Sequence, residues 1–154
     1  MGTGLDGECD QRVEELERWF GSLPEGVAEM EVIAPHPAYP VWVQIRPLLE
    51  PHAAAIGVGF VADVFDVHAG YGAWDYNKCS DDSAVDYCRA ISSGGMTEVE
   101  QLWRGRVVNV RRELRMDGGV QRMSHAPGCG CLFQPLRWLF GGKQERVIRY
   151  PPYY

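Results

Sequence analysis

The side chains best suited to chemistry lie near the middle of the chain, where Asp66 and His68 are separated by one residue. In an extended strand, residues i and i+2 project from the same face, so this carboxylate and this imidazole would share one surface. Such a pair can act as general base and general acid, or bind a small polar ligand. Asp66 and His68 are therefore the candidate catalytic residues, and a hydrogen-bonded or solvated pair is the alternative interpretation.

A second group with metal-binding chemistry consists of His125, Cys129 and Cys131. Imidazole and thiolate are the usual ligands of structural zinc, and a further cysteine would complete a tetrahedral set. The Cys-x-Cys spacing differs from the paired CxxC units of zinc domains, however, and its flanking glycines suit a plain tight turn. We expect free thiols and no cofactor, with a structural zinc ion as the alternative.

No other arrangement of residues matches an enzyme signature. The chain has no Gly-x-Ser-x-Gly turn, no Gly-Lys-Ser/Thr phosphate loop and no His-Glu-x-x-His helix. Gly57 and Gly59 precede a strand rather than a helix, so they do not form a dinucleotide-binding loop. We therefore expect a non-enzymatic protein.

Charge is distributed unevenly along the chain, although the net charge is only −6. Residues 1–103 carry 5 basic and 18 acidic side chains, whereas residues 104–154 carry 10 basic and 3 acidic ones. Such asymmetry is typical of proteins with charged partners, and also of two halves that neutralise each other inside one fold. The acidic half favours a basic protein partner.

The basic half offers a further alternative, a nucleic-acid-binding module. Its arginines are interleaved with Trp138, Phe140 and Tyr150, a composition typical of surfaces that bind single strands. Arg111 and Arg112 would nevertheless point to opposite faces of one strand. A pI near 5.2 also opposes attraction to phosphate, so nucleic acid is the least favoured partner.

Length and composition predict one domain over residues 1–154, since 45% of the side chains are hydrophobic, enough for a single core. No apolar run approaches the about 20 residues that a membrane-spanning helix needs, so we expect no membrane association. The N-terminus lacks the basic and apolar regions of a secretory signal. An odd number of cysteines, five, then favours reduced thiols and a cytoplasmic location.

Two segments have helical periodicity. Val13, Leu16 and Phe20 recur at helical spacing, which predicts a first helix from Asp10 to about Phe20, after a flexible, glycine-rich segment 1–9. Potential N-cap residues at 81–83 predict a second helix that ends at Gly94 and Gly95.

The Val- and Phe-rich run from Gly57 to Gly70 predicts one long strand at the centre of a sheet. A two-residue turn at Arg104-Gly105 would pair Val99 with Val110 and Glu98 with Arg111. Further strands are predicted over 27–34, 41–46, 97–103, 106–116, 120–124 and 143–150, and an irregular loop over 125–142.

These elements predict an α+β domain with a mostly antiparallel sheet of about six to seven strands and two main helices. The order along the chain is α-β-β-β-α-β-β-β-β. Strands joined by tight turns pair antiparallel, which places the helices together on one face of the sheet.

Aromatic residues are dense between residues 71 and 76, and Tyr39 and Trp42 would extend the same patch. Tyrosine and tryptophan are favoured anchors of interfaces, although these rings would equally close the core over the sheet. We expect a partner-binding surface that combines such rings with nearby carboxylates. The predicted residues are Glu14, Glu15, Glu17, Tyr71, Trp74, Asp75, Tyr76, Asp81, Asp82 and Asp86.

In its size, acidity and lack of a catalytic signature, the chain resembles the immunity proteins that accompany bacterial toxins, and phage-encoded inhibitors. The resemblance is one of type and is carried by composition, since no family motif matches residue by residue. It implies a cytoplasmic inhibitor that masks a basic partner such as a toxin. The alternative is a small-ligand-binding domain or hydrolase-like enzyme with Asp66 and His68 at the end of the central strand.

Overall fold

The computed structural model describes residues 5–61, 64–70, 73–75, 83–125 and 143–154. Within these ranges the chain forms two helices and nine strands. They are α1 (Leu5–Phe20), β1 (Ala28–Ile33), β2 (Val41–Pro47), β3 (Ile56–Val61), β4 (Val64–Ala69), β5 (Ala73–Asp75), α2 (Ala84–Ser92), β6 (Met96–Trp103), β7 (Arg106–Met116), β8 (Gly119–His125) and β9 (Lys143–Arg149).

The strands form two antiparallel sheets, one with the order β1-β2-β3-β4-β5 and one with the order β8-β7-β6-β9. The α+β class and the antiparallel pairing are confirmed. The prediction of one sheet is wrong. The strands before α2 pair only with one another, and the strands after α2 also pair only with one another. Strand β5 was not predicted.

The run from Gly57 to Gly70 is a hairpin, β3 and β4, and not one central strand. Its register pairs Val58 with Val67 and Phe60 with Phe65. In a single straight strand the two members of each pair would fall on opposite faces, because one has an even number and the other an odd number. Reversal of the chain puts all four on the same face, so one hydrophobic core is enough to bury them.

The core lies between this face of the five-stranded sheet and the helices. Val43, Val58 and Val67 form a buried row across three strands. Leu16 of α1 and Ile91 of α2 belong to the same cluster of buried side chains. The second sheet contributes Met96 and Leu114, and the C-terminus is anchored by the Tyr153 hydroxyl, which donates to the Ala54 carbonyl at 2.8 Å.

The two-residue turn at Arg104-Gly105 is confirmed, with Trp103 opposite Arg106 and positive φ at both turn residues. The pairing predicted beyond it is wrong. A β-bulge next to Gln101 shifts the register by one residue, so Glu98 lies opposite Arg112 and Val99 lies opposite Arg111.

Helix α1 begins at Leu5, earlier than predicted, and Cys9 is buried in the core, so residues 5–9 are part of the fold. Residues 1–4 lie outside the described ranges, as does the predicted loop beyond His125, up to residue 142. Among the described residues, no helix has the length and apolar character required to cross a membrane.

Candidate functional site

The face of the five-stranded sheet that points away from the core carries an aromatic cluster on a floor of two glycines. A β-carbon on Gly57 would overlap the indole of Trp42, and one on Gly59 would overlap the ring of Tyr39. Both glycines lie inside β3, where a side chain would ordinarily stand. Glycine is needed here because the two rings lie directly on the strand backbone.

The predicted pair Asp66 and His68 belongs to this cluster, on the neighbouring strand β4. The hydroxyl of Tyr39 donates to Oδ2 of Asp66 at 3.1 Å and lies 2.9 Å from Nε2 of His68. A hydroxyl has only one hydrogen to donate. Because that hydrogen is donated to Asp66, the imidazole N–H of His68 is the donor to the tyrosine oxygen. The prediction that Asp66 and His68 share a face is confirmed.

Trp42 is held between several neighbours. Its indole N–H donates to Oε1 of Gln44 at 3.2 Å, and Gln44 in turn donates to the Ile56 carbonyl. The ring of His36 stacks on the indole with centroids 5.0 Å apart and planes 19° apart, and the ring of His68 approaches edge-on at 5.1 Å. Gly57, His36 and His68 thus all lie against the indole.

The loop from 34 to 40 supplies the outer layer of the cluster. His36 and Tyr39 exchange backbone hydrogen bonds of 3.1 and 3.2 Å, which close a turn over Pro37 and Ala38. The Ala38 amide also donates to Nδ1 of His36 at 3.2 Å, so the proton of the neutral imidazole lies on Nε2. The residues at 35, 37, 38 and 40 are exposed, although the loop is closely tethered.

This geometry supports two kinds of chemistry. The hydrogen bonds from Tyr39 to His68 and Asp66 can hold or relay a proton at the tyrosine oxygen. Alternatively, the same hydrogen bonds fix the position of the rings and make the aromatic surface rigid. Behind Asp66 and His68 the sheet is filled by the buried core, with Val58 and Val67 fully enclosed. A groove of about 520 Å³ lies elsewhere, between Trp19 and the C-terminal Tyr154.

The predicted acidic residues of α1 lie on the other side of the sheet, where the helices cover the core. Glu14 and Glu17 are exposed and Glu15 is half-buried. No ion pair among the described residues involves these three carboxylates.

Asp86 has a structural role at the start of α2. Its carboxylate accepts from the backbone and hydroxyl of Ser83, its own amide donates to the Ser83 hydroxyl, and Arg89 pairs with it at 3.1 Å. Burial alone would raise the pKa of this carboxyl, but these donors outweigh it and hold the pKa below its usual value.

Of the other predicted binding residues, the structure describes only the backbone of Trp74 and Asp75. The backbone of Trp74 and Asp75 runs in β5, which pairs with β4 so that Asp75 is opposite Asp66. Tyr71, Tyr76, Asp81 and Asp82 lie outside the described residues. These positions stay a prediction, although β5 borders the strand that carries Asp66 and His68.

Three arginines of the basic half form ion pairs with carboxylates. Arg146 pairs with Glu100, and Arg111 and Arg122 both contact Glu113 at 3.6 and 3.2 Å. Arg112 is buried, whereas its neighbour Arg111 is not, in agreement with the predicted opposite orientation. These contacts weaken the alternative of a nucleic-acid-binding stripe.

The proposed zinc ligands cannot be assembled from the described residues. His125 is the last residue of β8, and Cys129 and Cys131 lie outside the described ranges. Within those ranges no group of three or more His, Cys, Asp or Glu side chains is placed to hold a metal ion. Cys9 and Cys88 are free thiols in the core.

Comparison with protein-family models, with curated proteins and with solved structures found no match to this chain.

Sequence reasoning placed Tyr39 and Trp42 in an aromatic patch and paired Asp66 with His68, but it did not connect the two. It missed His36 and the role of Gly57 and Gly59. The available signal was the Gly-x-Gly spacing within a strand, since two glycines on one face leave room for rings from elsewhere.

Proposed function

We propose that this protein is a non-enzymatic protein-binding domain that masks a basic partner with an acidic surface containing aromatic anchors, as toxin-immunity and inhibitor proteins do. The supporting observation is that, among the described residues, the carboxylates of the acidic half that lie against arginines of the basic half are Glu98 and Glu100, both of which are buried in β6. The exposed glutamates of α1 and β1 form no described ion pair with that half.

The outer face of the five-stranded sheet fits this function because it combines rings and carboxylates. Tyr39 and Trp42 occupy its centre, while Glu29 and Glu31 stand exposed beside Arg46, which pairs with them at 3.4 and 3.8 Å. An apolar centre with a charged rim is the usual anatomy of a protein interface. The exposed carboxylates of α1 form a second acidic surface.

The products of the genes flanking this one provide a direct test. Each is co-expressed with the tagged protein and purified at low and high salt. We expect one basic product to be retained, with binding that weakens as salt rises because surface charges are screened. The proposal would be contradicted if no flanking product were retained. It would also be contradicted if a basic product were retained but its binding changed neither with salt nor with charge reversal of the exposed glutamates.

A second candidate function is supported by the contacts of the Tyr39 hydroxyl with Asp66 and His68. A small-ligand site or a hydrolase-like centre would use these groups as base and acid. Its test is a panel of chromogenic ester, phosphate and glycoside substrates. Activity lost in Asp66→Asn and in Tyr39→Phe would favour the enzyme, and activity that survives both would exclude these residues from catalysis.

A further inference from the structure

The loop that covers the glycine floor is exposed and yet has little conformational freedom. Three prolines, at positions 35, 37 and 40, restrict its backbone. The reciprocal hydrogen bonds between His36 and Tyr39 close it. Surface loops of this length are ordinarily among the most mobile parts of a domain, so each tether requires a reason.

The sheet itself is weakened by the arrangement that holds the loop. Gly57 and Gly59 lie inside β3, and glycine within a strand is destabilising relative to alanine. The tyrosine hydroxyl, which has partners on β4, fixes the C-terminal part of the loop to the sheet. A fold that needed only a cover for this face would obtain it from ordinary β-branched side chains on β3.

We infer that residues 36–39 form a preorganised wedge that inserts into a cleft of the basic protein partner. A loop already held in its bound shape loses little entropy on association, which is how rigid loops achieve tight binding. The surrounding charges fit a basic cleft, since Glu29, Glu31 and Asp66 outnumber Arg46 on this face. The inference rests on the protein-binding function proposed above and names its contact element.

The wedge and the acidic helix lie on opposite sides of the five-stranded sheet. One side carries Tyr39 and Trp42, and the other is covered by α1 and α2. A single small partner therefore contacts one side or the other. This separation allows the wedge to be tested independently of the general proposal of protein binding.

The test places the photo-crosslinking residue p-benzoylphenylalanine at Ala38, or at Glu14 on α1, in the full chain expressed in its source cells. Both positions are exposed. We expect Ala38 to yield one basic protein, with the attachment site inside a cleft of that protein. Capture alone does not support the wedge, so the decisive comparison uses variants that leave the exposed atoms of the loop unchanged.

Gly59→Ala is the decisive variant, because its new β-carbon would displace the Tyr39 ring from the sheet. Gly118→Ala is the matched control, since a β-carbon there meets nothing within 4 Å. We expect the yield from Ala38 to fall at least about 10-fold in Gly59→Ala and to stay unchanged in Gly118→Ala. Circular dichroism and the melting temperature report whether Gly59→Ala is folded. If it is not, Tyr39→Phe, which removes only the tethering hydroxyl, replaces it and is expected to lower the yield in the same way.

The remaining outcomes overturn the wedge. An equal yield from folded Gly59→Ala, an attachment site on a flat surface, or a product of two copies of this chain would each exclude it. Crosslinking from Glu14 alone would exclude the wedge while retaining protein binding through α1. Crosslinking from neither position would exclude the wedge, and co-expression with the products of the flanking genes then decides whether the proposed function also fails.

Discussion

Gly70 and Glu98 meet where the two sheets approach each other. A β-carbon on Gly70 would overlap Oε1 of Glu98, which is buried in β6. Gly70 directly follows β4 and has a φ of +58°. The close approach of this backbone to a buried carboxylate therefore connects the five-stranded sheet to the second sheet.

Gly70→Ala should destabilise the protein by about 2–4 kcal/mol. About 1–2 kcal/mol comes from a side chain at positive φ, and the rest from displacement of a buried group. Gly26→Ala is the control, because Gly26 has a φ of +79° and open space around its β-position. Urea denaturation of both variants measures the difference, and equal losses would show that the contact with Glu98 contributes nothing.

Glu98→Gln should cost about 3–5 kcal/mol, because it removes a negative charge opposite buried Arg112 on β7. Glu98 also accepts a hydrogen bond of 2.8 Å from the Tyr150 hydroxyl. Tyr150→Phe deletes that bond alone and should cost about 2 kcal/mol. If chemical denaturation finds Glu98→Gln no more harmful than Tyr150→Phe, the charge of Glu98 is not required.

Stability should fall in alkaline solution. Burial raises the pKa of Cys88 and of Tyr150 and Tyr153, with Glu98 adding to the effect at Tyr150. The folded state thus prefers the neutral forms, and their contribution is complete below the ordinary pKa values of 9.0 and 10.0. As pH rises beyond about 9, the unfolded chain releases protons first, and stability declines by up to about 1.4 kcal/mol per group and pH unit. Melting temperatures from pH 7 to 11 test this, and a flat profile would contradict it.

Ser83→Ala should destabilise α2 by about 0.5–2 kcal/mol, since it removes the N-cap side chain that bonds to Asp86. The lowered pKa of Asp86 means that its carboxylate stabilises the fold above pH 3.8 and loses this effect as the pH falls further. Ser124→Ala, at an exposed position of β8, is the control. Equal thermal stability of the two variants would rule out the cap as a source of stability.

Local signals predicted much of the secondary structure. The apolar spacing of Leu16 and Phe20 marked α1, and the polar residues before Ala84 marked α2, with Ser83 as its N-cap. The turn at Arg104-Gly105 was also predicted. Each of these depends on contacts between residues close in sequence, so a short stretch contains the information.

Long-range arrangement was beyond these signals. The bulge near Gln101 places Glu98 opposite Arg112, whereas the turn alone predicted Arg111. A one-residue insertion of this kind is decided by packing and not by the turn. The hairpin within 57–70 likewise depends on tertiary packing, which buries one face of β3 and β4 in the core.

The sequence by itself determined an α+β chain with a strongly acidic N-terminal half, and it placed Asp66 and His68 on one face of a strand. Only the tertiary structure decided that Tyr39 bridges these two residues and that Trp42 and His36 stack beside them on glycine. The physical reason is that the hydroxyl of Tyr39 bonds to residues of β4 that are 27 and 29 positions away in the chain. Such distances are bridged by sheet register, which no local pattern encodes.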